Sequence, residues 1–330
     1  MAQQTQAIEA PALPLNACSV AEHCEALRKH GRLPFWWYLA RHPLWGNYSR
    51  PFQDRSGGWW YQVKPGLCWA ADFLTPLSAQ QVRLPLSKSY LGFQHVVPAE
   101  EEANSHLVIN AITDLGAYSE RVIDAKRRNA IRKGLRSCTL EVVSSYHEPT
   151  VEQCRLAWKG LTERTGWKHA QDRGEFHSNW RERLQVPGRS IIVGRDLQSG
   201  EVAGFLLTKI IGNTAYVDTI ASRTDLLRCN VNDALMFAFL MNARQLPGVT
   251  KAHYAIRSYV ETLEHFKRAL GFKPVPFPAR VVLRGAAGSV LKRLSPTKYR
   301  RMFGLFDDSA PDPSPADAPG NAGHLGTPST

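Results

Sequence analysis

Residues 189–221 read RSIIVGRDLQSGEVAGFLLTKIIGNTAYVDTIA, and this stretch predicts three consecutive β-strands. We expect the strands at 189–195, 201–211 and 214–221, because each segment is apolar and turn-forming residues separate them. Consecutive strands joined by short turns pair as an antiparallel meander. The stretch therefore predicts the centre of a β-sheet.

Helices and further strands flank this meander. The hydrophobic periodicity predicts a strand at 106–114, a basic helix at 117–137, a strand at 139–144, helices at 150–165, 176–184 and 232–245, a strand at 251–256, a helix at 260–270 ending at Gly271, and one or two strands within 272–283. This order predicts an α/β (α+β) fold in which helices flank a mixed sheet.

The charge of the chain favours anionic partners. The 330 residues carry 41 Lys and Arg against 29 Asp and Glu, a formal net charge of +12. Residues 307–330 contain four Asp and neither Lys nor Arg, so the rest of the chain carries +16. Apolar residues make up 43%, which excludes a wholly disordered or collagenous chain. Phosphates, nucleic acid and membrane surfaces are the partner classes that such basicity favours.

Composition divides the chain into four expected parts. They are an N-terminal extension (1–34), an N-terminal half that ends in the basic helix (35–137), the main domain (138–306) and a disordered acidic tail rich in Pro, Gly and Ser (307–330). Six of the nine tryptophans fall in the second part, and they either fill a core or form an exposed stacking platform: Trp36, Trp37, Trp45, Trp59, Trp60 and Trp69.

The basic helix carries a row of arginines. Arg128, Arg132 and Arg136 follow each other at a spacing of four, so they share one helix face and can bind phosphates or another anion. The other interpretation of such a run is a solvated helix face.

Cysteine usage and hydropathy indicate an intracellular chain. The six cysteines form no C-x-x-C pair and have no His at ligand spacing, which predicts reduced, packed thiols and no metal site. No run approaches the roughly 18 apolar residues of a membrane span. We expect a cytoplasmic location without integral membrane contact.

Four segments, taken in order, resemble the GNAT-type acyltransferase fold, and in particular its Fem-like (FemAB-like) branch. They are KRRNAIRKGLR at 126–136, LTERTG at 161–166, VAGFLL at 202–207 and LEHFKRALGF at 263–272. The last is the best match, to a closing "L-x-x-F-K-x-x-x-G-F" helix. The resemblance covers 105–285 and implies a GNAT-like mixed sheet with a degenerate GNAT-like N-terminal half.

The resemblance also implies where the chemistry lies. In this fold two parallel strands splay apart, here 214–221 and 251–256, and the donor lies in the gap. Asp218 is then a candidate proton acceptor, Tyr254 a proton donor to the leaving group, and Lys267 the family lysine that stabilises an oxyanion. Each residue has an alternative role. Asp218 could be the partner of a buried Arg or Tyr, Tyr254 a core aromatic and Lys267 a solvated lysine. His253 should face the opposite side of the sheet from Tyr254.

The donor-binding segment departs from the family pattern. Coenzyme A is usually held by a Q/R-x-x-G-x-G/A loop and the helix after it. Arg228 matches the first position, but Val231 and Asp233 replace the glycines. Arg228, Asn230 and Asn232 are the candidate donor-binding residues, with helix capping by either Asn as the alternative. Acyl-CoA is therefore an uncertain co-substrate.

The sequence predicts an N-acyltransferase. It would move an acyl or aminoacyl group from acyl-CoA or an acyl carrier protein to an amine on a small-molecule or cell-envelope acceptor, without a metal. Aminoacyl-tRNA is the alternative donor, as in many Fem-like proteins. A non-catalytic basic module that binds an anionic polymer is the alternative from another class. The sequence leaves the acceptor and the oligomeric state open.

Overall fold

The computed structural model describes residues 7–30, 50–72, 74–165, 172–258 and 260–305. The helices in these ranges are α1 (Val20–His30), α2 (Ala125–Ser137), α3 (Glu148–Thr165), α4 (Arg173–Leu184), α5 (Val231–Ala243), α6 (Glu261–Ala269), α7 (Ala287–Leu294) and α8 (Pro296–Met302). The strands are β1 (Phe52–Gln53), β2 (Trp59–Lys64), β3 (Leu67–Ala70), β4 (Gly92–Val96), β5 (Ser105–Ile112), β6 (Cys138–Val142), β7 (Arg189–Asp196), β8 (Val202–Ile211), β9 (Thr214–Ser222), β10 (Lys251–Ile256) and β11 (Lys273–Leu283).

The strands form one mixed sheet. Its order is β1-β2-β3-β4-β11-β5-β10-β9-β8-β7-β6. The pairs β3/β4 and β9/β10 are parallel and the other described pairs are antiparallel. The predicted mixed sheet flanked by helices is confirmed.

The predicted meander is the sheet segment β7-β8-β9. Glycines at two of its turns have positive φ, +71° at Gly200 and +57° at Gly212, a conformation that suits glycine because it lacks a Cβ. All of β8 is buried. A strand that is covered on both faces has a nearly continuous apolar sequence, which is why the segment at 202–211 predicted a strand.

Helices cover both faces of this sheet, and the alternation along β8 separates them. Leu206 packs in the core with α5, and we call this side the α5 face. Phe205 and Leu207 pack with Phe176 and Trp180 of α4, on the side that we call the α4 face. The site described below uses both faces.

Helix α2 begins later than the periodicity predicted. The carboxylate of Asp124 accepts hydrogen bonds from the backbone N–H groups of Lys126 and Arg127, so it caps the helix start. Residues 120–122 form a short 3-10 turn instead. The predicted helix over 117–137 is therefore eight residues too long at its start.

The end of α6 matches its prediction. Gly271 has φ +94°, and the N–H of Phe272 donates to the carbonyl oxygen of Lys267. This is the hydrogen bond of a Schellman motif, in which glycine at the C′ position ends the helix.

The aromatic N-terminal segment contributes to a core where it is described. Trp60 is fully buried and donates from its indole nitrogen to Asp54, and Trp59 is 8% exposed. These two tryptophans fit the core interpretation. Trp36, Trp37 and Trp45 lie outside the described residues.

The sheet runs across the expected division at residue 137. Strand β11, from the expected main domain, pairs with β4 and β5 of the expected N-terminal half. The four-part division stays a prediction, and 307–330 lies outside the described residues. Within the described ranges, no helix has the length and apolarity needed to cross a membrane.

Candidate active site

Strands β9 and β10 separate partway along their length. They pair in parallel through Thr214, Ala215 and Tyr216, and the last described pair joins Tyr216 to His253. Beyond it, Ala255 has φ +61° and the register of β10 with β5 shifts. A bulge of this kind bends a strand and raises its twist. The gap that follows, between 217–222 and 254–256, is the β9–β10 opening.

Strand β9 has its own bulge at the opening. Val217 pairs with Thr208 of β8, and the next pair joins Thr219 to Leu207, so Asp218 is an extra residue. Bulges redirect side chains and are common beside active sites.

Asp218 holds a buried charge cluster on the α4 face. Its two carboxylate oxygens accept hydrogen bonds from Arg183 of α4, at 2.6 Å, and from Lys209 of β8, at 2.7 Å. All three side chains are at most 4% exposed. Arg183 also donates to the carbonyl oxygen of Thr208 at 2.7 Å. The carboxylate thus bridges two cations directly beside the opening.

The cluster shifts the protonation of its members. Burial lowers the pKa of Lys209 to about 8, against the opposing attraction of Asp218. Burial raises the pKa of Asp218, but the charges of Lys209, Arg183 and Arg189 outweigh it and bring the value to about 2. Burial and the charge of Arg183 lower the pKa of Arg189 to about 10. Asp218 stays ionised, and Lys209 is the group that titrates near neutral pH.

A polar row crosses four strands at this level. The register places Arg189 opposite Lys209, Lys209 opposite Tyr216, and Tyr216 opposite His253. Tyr216 donates to Asp72 at 2.5 Å, and its ring lies 5.1 Å from that of His253. Burial and Lys209 lower the pKa of His253 to about 3, so its ring is neutral. Such a row within a protein core is costly, which makes it a candidate functional site.

A second buried cluster lies on the α5 face. Lys267 is 1% exposed and donates to Glu264 at 2.8 Å. The same carboxylate oxygen accepts from the Asn110 side chain and the Ser258 backbone. The Lys267 ammonium lies 5.3 Å from the ring centre of Tyr254. Burial and Glu264 raise the pKa of Tyr254 well above its usual value, so the phenol keeps its proton.

The three predicted catalytic residues therefore divide between the two faces. Tyr254 packs in the core with α5 and near Lys267, while Asp218 contacts α4. His253 and Tyr254 lie on opposite faces, as the strand alternation predicted. The alternative of a solvated lysine is wrong for Lys267, because Glu264 and Lys267 are buried, and Phe266 of the same helix is only half-buried.

The start of α5 is packed into the fold. The side chain of Val231 lies over Gly194 and Gly204, where added Cβ atoms would come within 2.3 and 2.8 Å of it. An added Cβ at Gly134 of α2 would lie 2.6 Å from the carbonyl oxygen of Asn230. Val231 thus fills the space over β7 and β8, and α2 lies close against the first turn.

The charge at the start of α5 also differs from that of a phosphate-binding loop. Asp233 in the first turn is 5% exposed and pairs with Arg127 at 2.8 Å. Burial raises the pKa of Asp233, and Arg127 opposes the rise. A packed valine and a carboxylate at the two glycine positions do not fit the pyrophosphate of coenzyme A.

The three candidate donor-binding residues make contacts within the chain. Arg228, with its side chain 56% exposed, donates to the carbonyl oxygen of Asp225. Asn230 occupies the N-cap with φ +52°, and its side chain makes no bond to the first-turn amides, which all lie in the described part of the chain. Asn232 donates to Ser222 at 3.2 Å. The helix-capping alternative is therefore wrong for the Asn230 side chain.

The arginine row of α2 is partly used for structure. Arg128 donates to the carbonyl oxygens of Glu120 and Ile123 at 3.3 Å. Arg132 lies 3.5 Å from the Glu120 carboxylate, and Arg136 is exposed. Anion binding by the row stays a prediction.

The partners Arg183, Arg189 and Lys209 were not predicted from the sequence. One signal was present: Lys209 interrupts an apolar run on β8, and Asp218 interrupts another on β9. Opposite charges within neighbouring buried strands suggest a pair. For metals, the described part of the chain contains no group of three or more His, Cys, Asp or Glu arranged to hold an ion.

Comparison with solved structures defines the class of fold. No protein-family model matches the sequence, and the curated proteins gave no match. The crystal structure of FemX aligns at a TM-score of 0.52 and 12% identity, over 84% of this chain and 98% of that chain. L-PGS from Bacillus licheniformis covers 86% of this chain and 96% of its own, at a TM-score of 0.49 and 14% identity.

The FemX alignment establishes the fold alone, since the identity is low. The chain has the GNAT-type fold. Within that class its fold is the Fem-like one, as the sequence resemblance predicted.

Proposed function

We propose that the chain transfers an acyl or aminoacyl group from an activated ester or thioester to an amine. The observation that carries this proposal is the β9–β10 opening, with a buried lysine and a protonated tyrosine on one face and the Asp218 cluster on the other. The opening offers two strands with unpaired backbone to an extended substrate, and the clusters offer the charges that acyl transfer needs.

The α5 face supports the donor half of the reaction. The attacking nitrogen forms a bond to the donor carbonyl carbon, and the carbonyl oxygen becomes an oxyanion. We assign stabilisation of this negative charge to Lys267, since a buried ammonium acts strongly in a site of low dielectric. When the carbon–oxygen or carbon–sulfur bond breaks, the departing atom needs a proton. Tyr254 keeps its phenol proton, and because the raised pKa makes this phenol a weak acid, we assign its proton to the alkoxide that an ester donor releases.

The α4 face supports the acceptor half. An amine must lose a proton before or during attack. Asp218 was the expected proton acceptor, but a carboxylate with a pKa of about 2 is a weak base. Lys209, with a pKa of about 8, is better matched to an ammonium. We therefore assign proton acceptance to the Asp218–Lys209 pair, with Asp218 orienting the lysine amine.

The donor is proposed to be other than coenzyme A held at the α5 start. Val231 and Asp233 support this assignment, because they leave no glycine cradle there. An aminoacyl ester such as aminoacyl-tRNA needs no such cradle, and Fem-like proteins commonly use it. The acceptor is proposed to be an amine on a small molecule or a cell-envelope precursor.

Tyr254→Phe is the sharpest test, because phenylalanine keeps the ring packing against Phe272 and removes only the hydroxyl. The full chain is incubated with labelled aminoacyl-tRNA, acetyl-CoA or acyl carrier protein and a panel of amines, and amide product is quantified. We expect turnover with aminoacyl-tRNA, reduced about 10²–10⁴-fold in Tyr254→Phe. Tyr118→Phe is the matched control, because that buried hydroxyl donates to the carbonyl oxygen of Leu270.

Each outcome of this test has a clear meaning. Equal turnover in Tyr254→Phe and wild type would remove Tyr254 from the reaction. Turnover with acetyl-CoA alone would refute the donor assignment. If no donor supports amide formation while the folded chain retains tRNA at low salt, the non-catalytic binding alternative replaces the enzyme.

A further inference from the structure

The C-terminal part of the described chain concentrates positive charge. Residues 265–306 contain ten Lys and Arg and no Asp or Glu, in a protein whose formal net charge is +12. Helices α7 and α8 lie within this stretch. A stretch of this kind favours an anionic surface as its partner.

Helix α7 also displays apolar side chains to solvent. At 100° per residue, Val290, Leu291 and Leu294 fall within one arc, and Arg293 and Lys292 flank this arc on its two sides. Val290 is 49% exposed and Leu294 is 77% exposed. Much of the apolar side of α7 is thus exposed to solvent and does not pack against the sheet.

The helical pair is anchored to the fold. The carbonyl oxygen of Met302, at the end of α8, accepts hydrogen bonds from Gln94 at 2.8 Å and Ser105 at 2.9 Å. Before α7, the Arg284 backbone N–H donates to Leu91, and its guanidinium donates to Ser89. The exposed side of α7 therefore belongs to a fixed element, not to a frayed end.

The loop that Arg284 contacts is apolar and exposed as well. Leu86 is 63%, Tyr90 48% and Leu91 41% exposed. Six of the eleven large apolar side chains that are exposed in the described ranges lie in this loop and from α7 onward. Arg284 links the loop to the chain just before α7, so the exposed side chains lie on neighbouring segments. Grouped exposure marks an interaction surface, whereas single exposed leucines are ordinary.

We propose that this surface docks on an anionic lipid membrane. The surface, here called the α7 face, consists of Val290 and Leu294, the cations Arg284, Lys292 and Arg293, and the loop 86–91. The cations would bind lipid phosphates, and the leucine and valine side chains would enter the boundary between headgroups and acyl chains. Nucleic acid explains the cations but gives the apolar side chains nothing to enter, which is why a membrane fits better.

A vesicle flotation assay on the full chain tests this proposal. Vesicles of phosphatidylcholine with phosphatidylglycerol are compared with pure phosphatidylcholine, and the chain should float with the anionic vesicles only. The double variant Val290→Ser/Leu294→Ser should bind at least about tenfold more weakly, because apolar area is lost. Lys292→Gln/Arg293→Gln should also weaken binding, by about fivefold for each charge removed.

Matched controls separate this result from general effects. Leu197→Ser removes an exposed leucine, at 59% exposure, that follows β7 near the β6 edge of the sheet, and it should leave flotation unchanged. Circular dichroism confirms that each variant is folded. Equal flotation of wild type and Val290→Ser/Leu294→Ser overturns the proposal. So does binding to total tRNA without flotation, which would make the basic stretch a nucleic-acid surface. Neither result affects the acyl-transfer proposal, which rests on the β9–β10 opening.

Discussion

Asp218→Asn should destabilise the protein strongly, and the buried cluster sets the size of the effect. The carboxylate is the hydrogen-bonded anion between Arg183 and Lys209, and all three side chains are nearly inaccessible to water. Removing one partner of a buried ion pair leaves an uncompensated charge and costs about 3–5 kcal/mol. At about 2 °C for each kcal/mol in a chain of this size, the melting temperature should fall by about 6–10 °C.

Lys209→Met should rescue part of this loss. Methionine removes the second charge and retains an unbranched apolar side chain that can fill the site. The double variant Asp218→Asn/Lys209→Met should therefore lose less unfolding free energy than the two single variants lose together. We expect a coupling free energy of about 2 kcal/mol, within the range measured for contacting residues.

The pH dependence gives an independent check. The pKa of Lys209 in the folded chain, about 8, lies below its ordinary value of 10.5. The unfolded chain therefore binds more protons between these values, and stability attributable to Lys209 rises with pH across that window. In Asp218→Asn the lysine loses its anion, so its pKa falls further and the window starts at a lower pH. Lys209→Met should remove this rise.

Urea unfolding of the four proteins in the cycle, at pH 6 and pH 9, measures these quantities. Asp225→Asn is the control, because Asp225 pairs with Arg223 at an exposed site and should cost no more than about 1 kcal/mol. Effects of Asp218→Asn and Lys209→Met that add to within about 0.5 kcal/mol would refute the reasoning, because independent sites behave that way.

Three further changes have defined outcomes. Gly134→Ala should destabilise by about 1–3 kcal/mol in thermal melts, since its Cβ would meet α5 backbone at 2.6 Å. Gly174→Ala is the control and should not destabilise in this way, because its Cβ would lie 3.5 Å from its nearest neighbouring atom. Tyr216→Phe should cost about 1–3 kcal/mol, because buried Asp72 loses the hydroxyl donor to one carboxylate oxygen while Thr75 still binds the other. The ionised Asp218 should contribute about 2 kcal/mol to the unfolding free energy above pH 4. In an acid titration this contribution should disappear as the pH falls towards 2. Its absence would disprove the assigned pairing.

The sequence predicted those elements whose signals are local. Strand β10 has the predicted bounds, Lys251–Ile256, and the three strands of the meander differ from prediction by one residue at most at each end. Gly271 ends α6 as expected. These features depend on alternation, apolar runs and a glycine with positive φ, all of which can be read within about ten residues of chain.

The charge clusters could not be predicted in the same way, because their members are far apart in sequence. Arg183, Lys209 and Asp218 come from α4, β8 and β9, and only the register and the bulge at Asp218 bring them together. For Lys267, the resemblance predicted a role but not the buried position that the structure shows. Burial of Lys267 became tolerable because Glu264, one turn earlier, supplies its counter-charge.

The division of charge across the sheet also makes the proposed mechanism testable through stability. Asp218 supports the fold and the proposed reaction together, so its loss alone cannot distinguish the two roles. Tyr254 is different, because its hydroxyl lies on the α5 face and its ring provides the packing against Phe272. A variant that loses turnover at an unchanged melting temperature is therefore expected for Tyr254→Phe. If Tyr254→Phe lowers both turnover and melting temperature, the hydroxyl is a structural group. The proton then reaches the leaving atom from another residue.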